Sequence, residues 1–179
     1  MQNVLPTLSG IKATVRKVRV EDCEGFFALK GDPEIHEMFG GSRDTFRLTT
    51  RETAEATVKR LSEHPFAWVI EHAFKVIGEA RLDRVDMQDR RASFAIGILD
   101  PQCLGKGIGT EAMGLVLRFA FDQLKLHRVS LRVLAYNQRA IRSYQKCGFV
   151  IEGYEREAAW VNGQWHDDVI MGLLDREFR

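Results

Sequence analysis

The sequence predicts an α/β fold in which a mixed sheet is flanked by helices. Three observations predict it. Short apolar runs of strand length alternate with amphipathic stretches along the chain. A glycine-rich turn, Gln102 to Thr110, joins the apolar run Phe94–Leu99 to a helical pattern. Asn162-Gly163 sits between two final strand-like segments, the strongest short-range hairpin signal.

The elements follow in order. Residues 11–19 alternate weakly and read as a first strand. Val20-Glu21-Asp22 leads into a short helix carrying Phe26, Phe27 and Leu29. Asp32-Pro33 is an N-cap followed by proline at the first helical position, so a helix restarts there. Phe39 to Asp44, with Gly40-Gly41, reads as a loop. Thr49 and Glu52 have capping-box spacing, and a helix follows to about His64. Phe66–His72 and Val76–Asp83 are strands, and Ala92–Leu99 is the strand that ends at Asp100-Pro101. Glu111 to Phe121 is a buried helix. His127–Leu134 is the next strand, Asn137–Gly148 a helix, and two hairpin strands complete the order.

Bulk properties bound the function. A chain of 179 residues has room for one substantial core, and residues 1–179 are read as a single domain. A hydrophobic fraction of 45% is ordinary for a soluble globular protein. The net charge of +1 gives no electrostatic case for a nucleic-acid partner. No apolar run reaches membrane-span length, and Met1 to Pro6 lacks the basic start and apolar core of a signal peptide. Three cysteines (Cys23, Cys103 and Cys147) show no C-x-x-C spacing, and the five histidines do not cluster. A cytoplasmic protein with neither a disulfide framework nor a metal site is expected.

The turn after the third apolar strand carries the chemistry. A strand, a glycine-rich turn and a helix N-terminus form an anion cradle. Glycine lets the backbone approach closely, and the unpaired N–H groups of the first helical turn favour phosphate. A P-loop needs Lys-Ser/Thr at the end of its glycine run, whereas Lys106 is followed by Gly107. The dinucleotide fingerprint needs G-x-G-x-x-G, whereas Gly105, Gly107 and Gly109 read G-x-G-x-G. Gln102, Gly105 and Gly107 instead match Gln/Arg-x-x-Gly-x-Gly/Ala. Further on, Asn137-Gln138-Arg139-Ala140-Ile141-Arg142-Ser143-Tyr144-Gln145-Lys146-Cys147-Gly148-Phe149 places Asn137, Ala140 and Tyr144 on one helical face, and Gly148 stands where a C′ glycine ends a helix.

These two motifs, in this order, resemble the pyrophosphate loop and the N-x-x-[AS]-x-x-x-Y-x-x-x-G-F segment of the GCN5-related N-acetyltransferases (GNAT). Ala67-Trp68-Val69-Ile70, Ile77 to Leu82, Leu126 to Val129, Glu152-Gly153 and Asp168 to Met171 are similar to the RimJ/RimL-type subgroup. The resemblance implies the acyl-CoA N-acyltransferase fold, with a mostly antiparallel central sheet flanked by helices. It implies acetyl-CoA as cosubstrate, no metal, and direct acetyl transfer to a primary amine. That amine belongs to a small molecule, the favoured reading, or to a protein N-terminus. A homodimer is left open. The alternative is a non-catalytic acyl-CoA sensor or binding module.

Residue roles follow from the same resemblance. Backbone groups of Ile98 and Leu99 would hold the pantetheine arm, where the strand parts from its neighbour. The stretch Gln102, Gly105, Lys106, Gly107, Ile108, Gly109 and Thr110 would hold the pyrophosphate. Lys106 either adds charge or is simply solvated, and Gly97 is either a close-approach position or packing. Asn137 and Ala140 would contact the cofactor arm, Asn137 also capping its helix. Tyr144 is the general acid: an unperturbed phenol keeps its proton at neutral pH. Ser93 stands where relatives carry glutamate, so Glu79 is the nearest alternative carboxylate to serve the acceptor amine. Asp167 and Asp168 are further candidates for that role but read more as structural, Trp68 reads more as core than as substrate wall, and Trp160 with Trp165 as a cross-strand pair or, with His166, as the lining of the acceptor mouth.

Overall fold

The computed structural model describes residues 5–179. The first four residues, on which the reading of the chain's start partly rests, lie outside the described residues. The strand expected over 11–19 contracts to β2 (Thr14–Arg16), which pairs with a short β1 (Leu8–Ser9). Residues 10–13 turn instead, because the Glu111 carboxylate accepts the backbone N–H groups of Ile11, Lys12 and Ala13 at 3.0, 2.7 and 2.7 Å. Two helices follow, α1 (Asp22–Ala28) and α2 (Pro33–Met38). The second is capped as expected, the Asp32 carboxylate accepting from the Ile35 N–H at 2.9 Å.

The third helix, α3 (Arg51–Glu63), starts one residue later than the capping-box spacing suggested. Thr49 donates its N–H to the Lys30 carbonyl at 2.9 Å and is held outside the helix. Thr50 is therefore the cap, and Thr53 returns the reciprocal bond to the Thr50 N–H at 2.9 Å. The sheet continues through β3 (Ala67–His72), β4 (Lys75–Asp86) and β5 (Arg91–Ile98). Next come α4 (Ile108–Arg118), extended by a π turn over Phe119–Gln123, then β6 (Arg128–Leu134) and α5 (Gln138–Lys146). The hairpin of β7 (Val150–Val161) and β8 (Gln164–Leu174) closes the chain. Its turn has φ of 50° at Asn162 and 77° at Gly163, positive at both central residues as a two-residue hairpin turn requires. At the end of α5, Gly148 (φ 97°) and Phe149 return their N–H groups to Gln145 and Tyr144, which closes the helix as a Schellman motif.

The eight strands are ordered β1-β2-β3-β4-β5-β6-β8-β7, all antiparallel except the parallel pair β5–β6. That exception shapes the molecule. The parallel pairing extends only over Arg91↔Arg128, Ala92↔Val129 and Ser93↔Ser130, and the two strands then part. From Phe94 to Ile98, β5 keeps β4 on one edge and, among the described residues, has no strand on the other. Helices α4 and α5 cover one face over a core that includes Trp68, Ile70, Leu82, Phe94, Met113 and Leu131. Helices α1 and α3 cover the other over Val69, Val76, Phe26 and Leu61. Trp68, fully buried and edge-on to Phe119 at 5.4 Å, belongs to the core as expected. Among the described residues no helix is long and apolar enough to cross a membrane.

Candidate active site

Successive side chains of a strand point to opposite faces, so β5 divides its residues between the two sides of the sheet. Two cavities use that division. Ile98 faces a cavity of about 330 Å³ under α4 and α5, and Ala95, Gly97 and Leu99 face one of about 420 Å³ beneath α1, α2 and α3. Ile35, Phe39 and Ile96 line both, so the two volumes meet beside the parted strands.

The smaller cavity contains the glycine-rich turn expected to act as an anion cradle. Gly105 (φ 72°) and Gly107 (φ 78°) lie in the left-handed region that side-chain-bearing residues avoid. A Cβ at Gly105 would meet nothing within 4 Å of the protein, so packing does not require that glycine; the backbone conformation does. Gly107 is the N-cap of α4 and brings no side-chain oxygen to the first turn. The first-turn N–H groups of α4 are therefore open to an anion. Ile108 is 2% exposed, so only its backbone is available here. Gln102 sits in the 3₁₀ turn Pro101–Cys103, its N–H held by Asp100 at 2.9 Å.

Positive charge gathers around the cradle from two places. Lys12 donates its ammonium to the Lys106 carbonyl at 3.1 Å, and its Nζ would be 3.4 Å from a Cβ on Gly107. The Glu111 grip on residues 11–13 holds Lys12 there. From α5, Arg139, Arg142 and Lys146 line the same cavity. Sequence reasoning missed these four. The signal for three of them was present, since positions 139, 142 and 146 repeat at helical spacing along one side of α5.

Tyr144 reaches the cavity from α5, packed edge-on against Phe149 at 6.0 Å. Burial pushes its hydroxyl up to about 12 because the charged phenolate loses solvation. The group therefore keeps its proton through the neutral range. Burial also pushes the Cys147 thiol up to about 11 and raises Cys103, so neither is primed as a nucleophile. Asn137 is buried and uses both ends of its amide. Its oxygen caps α5 at the Ala140 N–H (3.2 Å), and its nitrogen donates to the Met38 carbonyl at the end of α2 (3.3 Å).

The larger cavity has an apolar wall of Phe26, Leu29, Ile35, Phe39, Phe46 and Leu99. Its polar side holds Glu79, with Arg60 on one carboxylate oxygen at 2.7 Å and Arg81 on the other at 3.0 Å. Gly97 lies opposite Glu79 across the β4–β5 ladder and is tightly packed. A Cβ there would stand 3.0 Å from the Phe39 ring, while the Gly97 carbonyl would be 1.9 Å from a Cβ on Gly78. Ser93, at the last paired position before the strands part, lines neither cavity. Leu99, expected with the cofactor, faces the larger cavity, and its N–H is committed to the Ile77 carbonyl at 2.7 Å. Ile98 alone of that pair lines the smaller one.

A cover lies over the meeting point, made of α2 and the loop to residue 46. Tyr136 donates to the Glu37 carbonyl at 2.6 Å, Asn137 holds Met38, and the hairpin turn holds the rest. Asn162 donates its amide to the Glu37 carboxylate (2.9 Å), accepts from the Arg43 N–H (2.8 Å), and gives its own N–H to the Ser42 hydroxyl (2.9 Å). Arg43 pairs with Glu37 and keeps that carboxyl below its ordinary range. The local sequence around 36–46 gives no sign of this knot, which spans more than a hundred residues. Asp168 is tied to Arg132 at 2.6 Å and Asp167 accepts from the Glu157 N–H at 2.8 Å. Trp160 and Trp165 are directly paired across the hairpin, ring centroids 5.0 Å apart.

Parted parallel strands, a glycine cradle at a helix start and a proton-bearing tyrosine beside a second cavity define an acyltransferase that joins an acyl thioester to an acceptor. The Acetyltransferase (GNAT) domain family matches residues 12–150, and the chain belongs to it. The enzyme is an N-acetyltransferase. It is similar over 94% of its length, at 30% identity, to the Bacillus subtilis protein described as "Probable N-acetyltransferase YjcK", 97% of which is covered. It is 34% identical to spermidine N(1)-acetyltransferase of Vibrio cholerae over 62% of this chain and 64% of that one. The crystal structure of spermidine N-acetyltransferase from Vibrio cholerae in complex with CoA and spermine superposes with a TM-score of 0.77 at 26% identity. It covers 94% of this chain and 98% of that chain.

Proposed function

We propose that residues 1–179 act as one domain that transfers acetyl from acetyl-CoA directly to the primary amine of a small molecule, in the manner of the RimJ/RimL-type subgroup. The observation that carries this is the meeting of two cavities at Ile35, Phe39 and Ile96, one built for phosphates and one apolar with a single acid–arginine group. Acetyl-CoA supplies an activated acetyl thioester. The cradle glycines Gly105, Gly107 and Gly109 and the first turn of α4 through Thr110 bind its phosphates with Lys12, Lys106, Arg139, Arg142 and Lys146. The free edge of β5 to Ile98 aligns the arm, with Ala140 opposite.

Tyr144 holds its Oη proton for the departing sulfur, and the proton lost by the amine returns to the phenolate through solvent. Glu79 is the fixed anion of the acceptor cavity. Two guanidinium groups hold its two carboxylate oxygens, and it orients the amine and the water that accepts its proton. Asn137 positions, by tying the start of α5 to the end of α2. The cover fastened by Asn162 favours a compact acceptor over a peptide N-terminus, since an extended chain would have to pass the knot. The spermidine acetyltransferase relatives support transfer to a small amine.

The test is an acceptor screen by mass shift, with amino-acid derivatives, polyamines, aminoglycosides and N-terminal peptides, read alongside thiol release from acetyl-CoA. A gain of one acetyl on a small amine is expected. Tight acetyl-CoA binding with no thiol release beyond background for any amine would instead support a sensor.

A further inference from the structure

Charge in the larger cavity is divided unevenly. Its acids are already engaged: Asp32 caps α2 at the Ile35 N–H, and each oxygen of Glu79 accepts from an arginine. Of its arginines, Arg60 and Arg81 are the partners of Glu79, and Arg81 also meets Asp83 at 2.9 Å. Arg47 differs. Among the described residues it forms no ion pair. Its Nη1 donates to two backbone carbonyls, Asp44 at 2.8 Å and Phe46 at 2.7 Å. A guanidinium has five N–H donors in a fixed fork. Anchoring through Nη1 alone leaves the Nε and Nη2 edge, the edge that receives a carboxylate or phosphate in two parallel bonds. The anchors are neutral carbonyls, so among the described residues no carboxylate pairs with this exposed arginine of the cavity lining.

We infer that the acceptor is an amine that also carries an anion, a carboxylate or phosphate near the nitrogen, with an apolar body between Phe26, Leu29, Phe46 and Leu99. The inference rests on reading the larger cavity as the acceptor site. Glu79 serves the nitrogen, Arg47 receives the anion, and the aromatic and aliphatic wall receives the side chain. A polyamine fits this arrangement poorly. Its second ammonium finds Glu79 held by two arginines and Asp32 in use as a helix cap, and approaches Arg47 instead. This chain therefore departs in acceptor class from the spermidine acetyltransferases it is similar to.

The test compares amines that differ only in the anion: leucine against isopentylamine, with the aminophosphonic analogue of leucine as the phosphate arm and spermidine as the amine-only extreme. Amine basicity differs within a pair but is the same for both enzymes, so the change in the ratio of kcat/KM on Arg47→Gln isolates the anion contact. That preference for leucine should fall about tenfold, the worth of one charge-assisted pair, and mainly through KM. Arg47→Lys should restore part of it, because charge returns without the fork. Binding of leucine to the CoA-saturated protein is measured calorimetrically in parallel. Arg47-dependent binding without turnover would keep the anion subsite and sink the transferase reading. Turnover with an unchanged ratio in Arg47→Gln, or spermidine as the best substrate, would keep the transferase reading and overturn the anion subsite. Neither binding nor turnover would remove both. The phosphonate arm, if preferred over leucine, assigns the anion to phosphate.

Discussion

The two cavities on either side of β5 are built in different ways. The smaller cavity, proposed for the cofactor, is made mostly of two stretches each continuous in sequence: the turn at residues 102–110 and the helix from Asn137 to Gly148. The larger cavity is made of side chains brought from afar: Phe26 on α1, Ile35 on α2, Glu79 and Arg81 on β4, and a cover tied down by Asn162. The difference reflects the ligands. A phosphate can be held by N–H groups and a helix end, which any sequence offers if glycines allow the turn. An acceptor of particular shape needs particular side chains, and only tertiary packing assembles them.

Removing the cradle should give the largest effect. Acetyl-CoA is expected to raise the melting temperature, because it binds the folded form alone. The double change Gly105→Val and Gly107→Val should abolish that shift. β-Branched residues resist φ of 72° and 78°, and their side chains would occupy the cradle. Circular dichroism checks that the variant folds. A full shift in the folded variant would reject the cradle as the phosphate site.

A hundredfold or greater loss of turnover, roughly the worth of a general acid, is expected for Tyr144→Phe with cofactor affinity nearly unchanged. The pH profile sharpens the test. Burial raises the phenol to about 12, so the acid form persists through neutral pH and is lost only as pH climbs toward that value. The same shift sets a sign for stability. The unfolded phenol, near 10, ionises first, so this contribution is intact below about pH 10 and declines as pH rises from there through about 12. Wild-type turnover that collapses between pH 8 and 9 while substrate stays saturating and fold intact, or unchanged chemistry in Tyr144→Phe, would assign the ring to packing alone.

Asn162→Ala probes the long-range side. It removes the Glu37 and Arg43 contacts of the cover without touching the cradle. Acceptor KM should rise severalfold, on the order of one lost hydrogen bond or two, with acetyl-CoA affinity unchanged. An equal loss of cofactor affinity would show that the two sides are not separable.

The smallest effect concerns protons at the acceptor. Glu79→Gln should depress the rate mainly at lower pH, where more of the amine is protonated, and Ser93→Ala should change little. Ser93 lies outside both cavities, and its hydroxyl could contribute about one kcal/mol at most. Superimposable pH–rate profiles for Glu79→Gln and wild type would remove Glu79 from the proton path.

Much of the frame was legible because its signals are local. The Asp32-Pro33 start, the Asn162-Gly163 turn, the Gly148 stop and the glycine run each fix backbone within a few residues. The misread elements mark where distant contacts intervened. Thr49 loses the cap to Thr50 because Lys30 holds its N–H, and residues 10–13 leave the strand because Glu111 takes theirs. Lys12 therefore reaches the cradle for a reason no local pattern contains.

The sequence by itself determined the order of elements, the cradle and the tyrosine that faces it, because hydrophobic period, glycine conformation and helix ends act over a few residues. The tertiary structure alone decided where β5 and β6 part, how alternate residues of β5 divide two cavities, which arginines Glu79 engages and which edge Arg47 leaves free. Those outcomes depend on register and on side-chain partners far apart in the chain, and free energies of packing set them only when the whole sheet has closed.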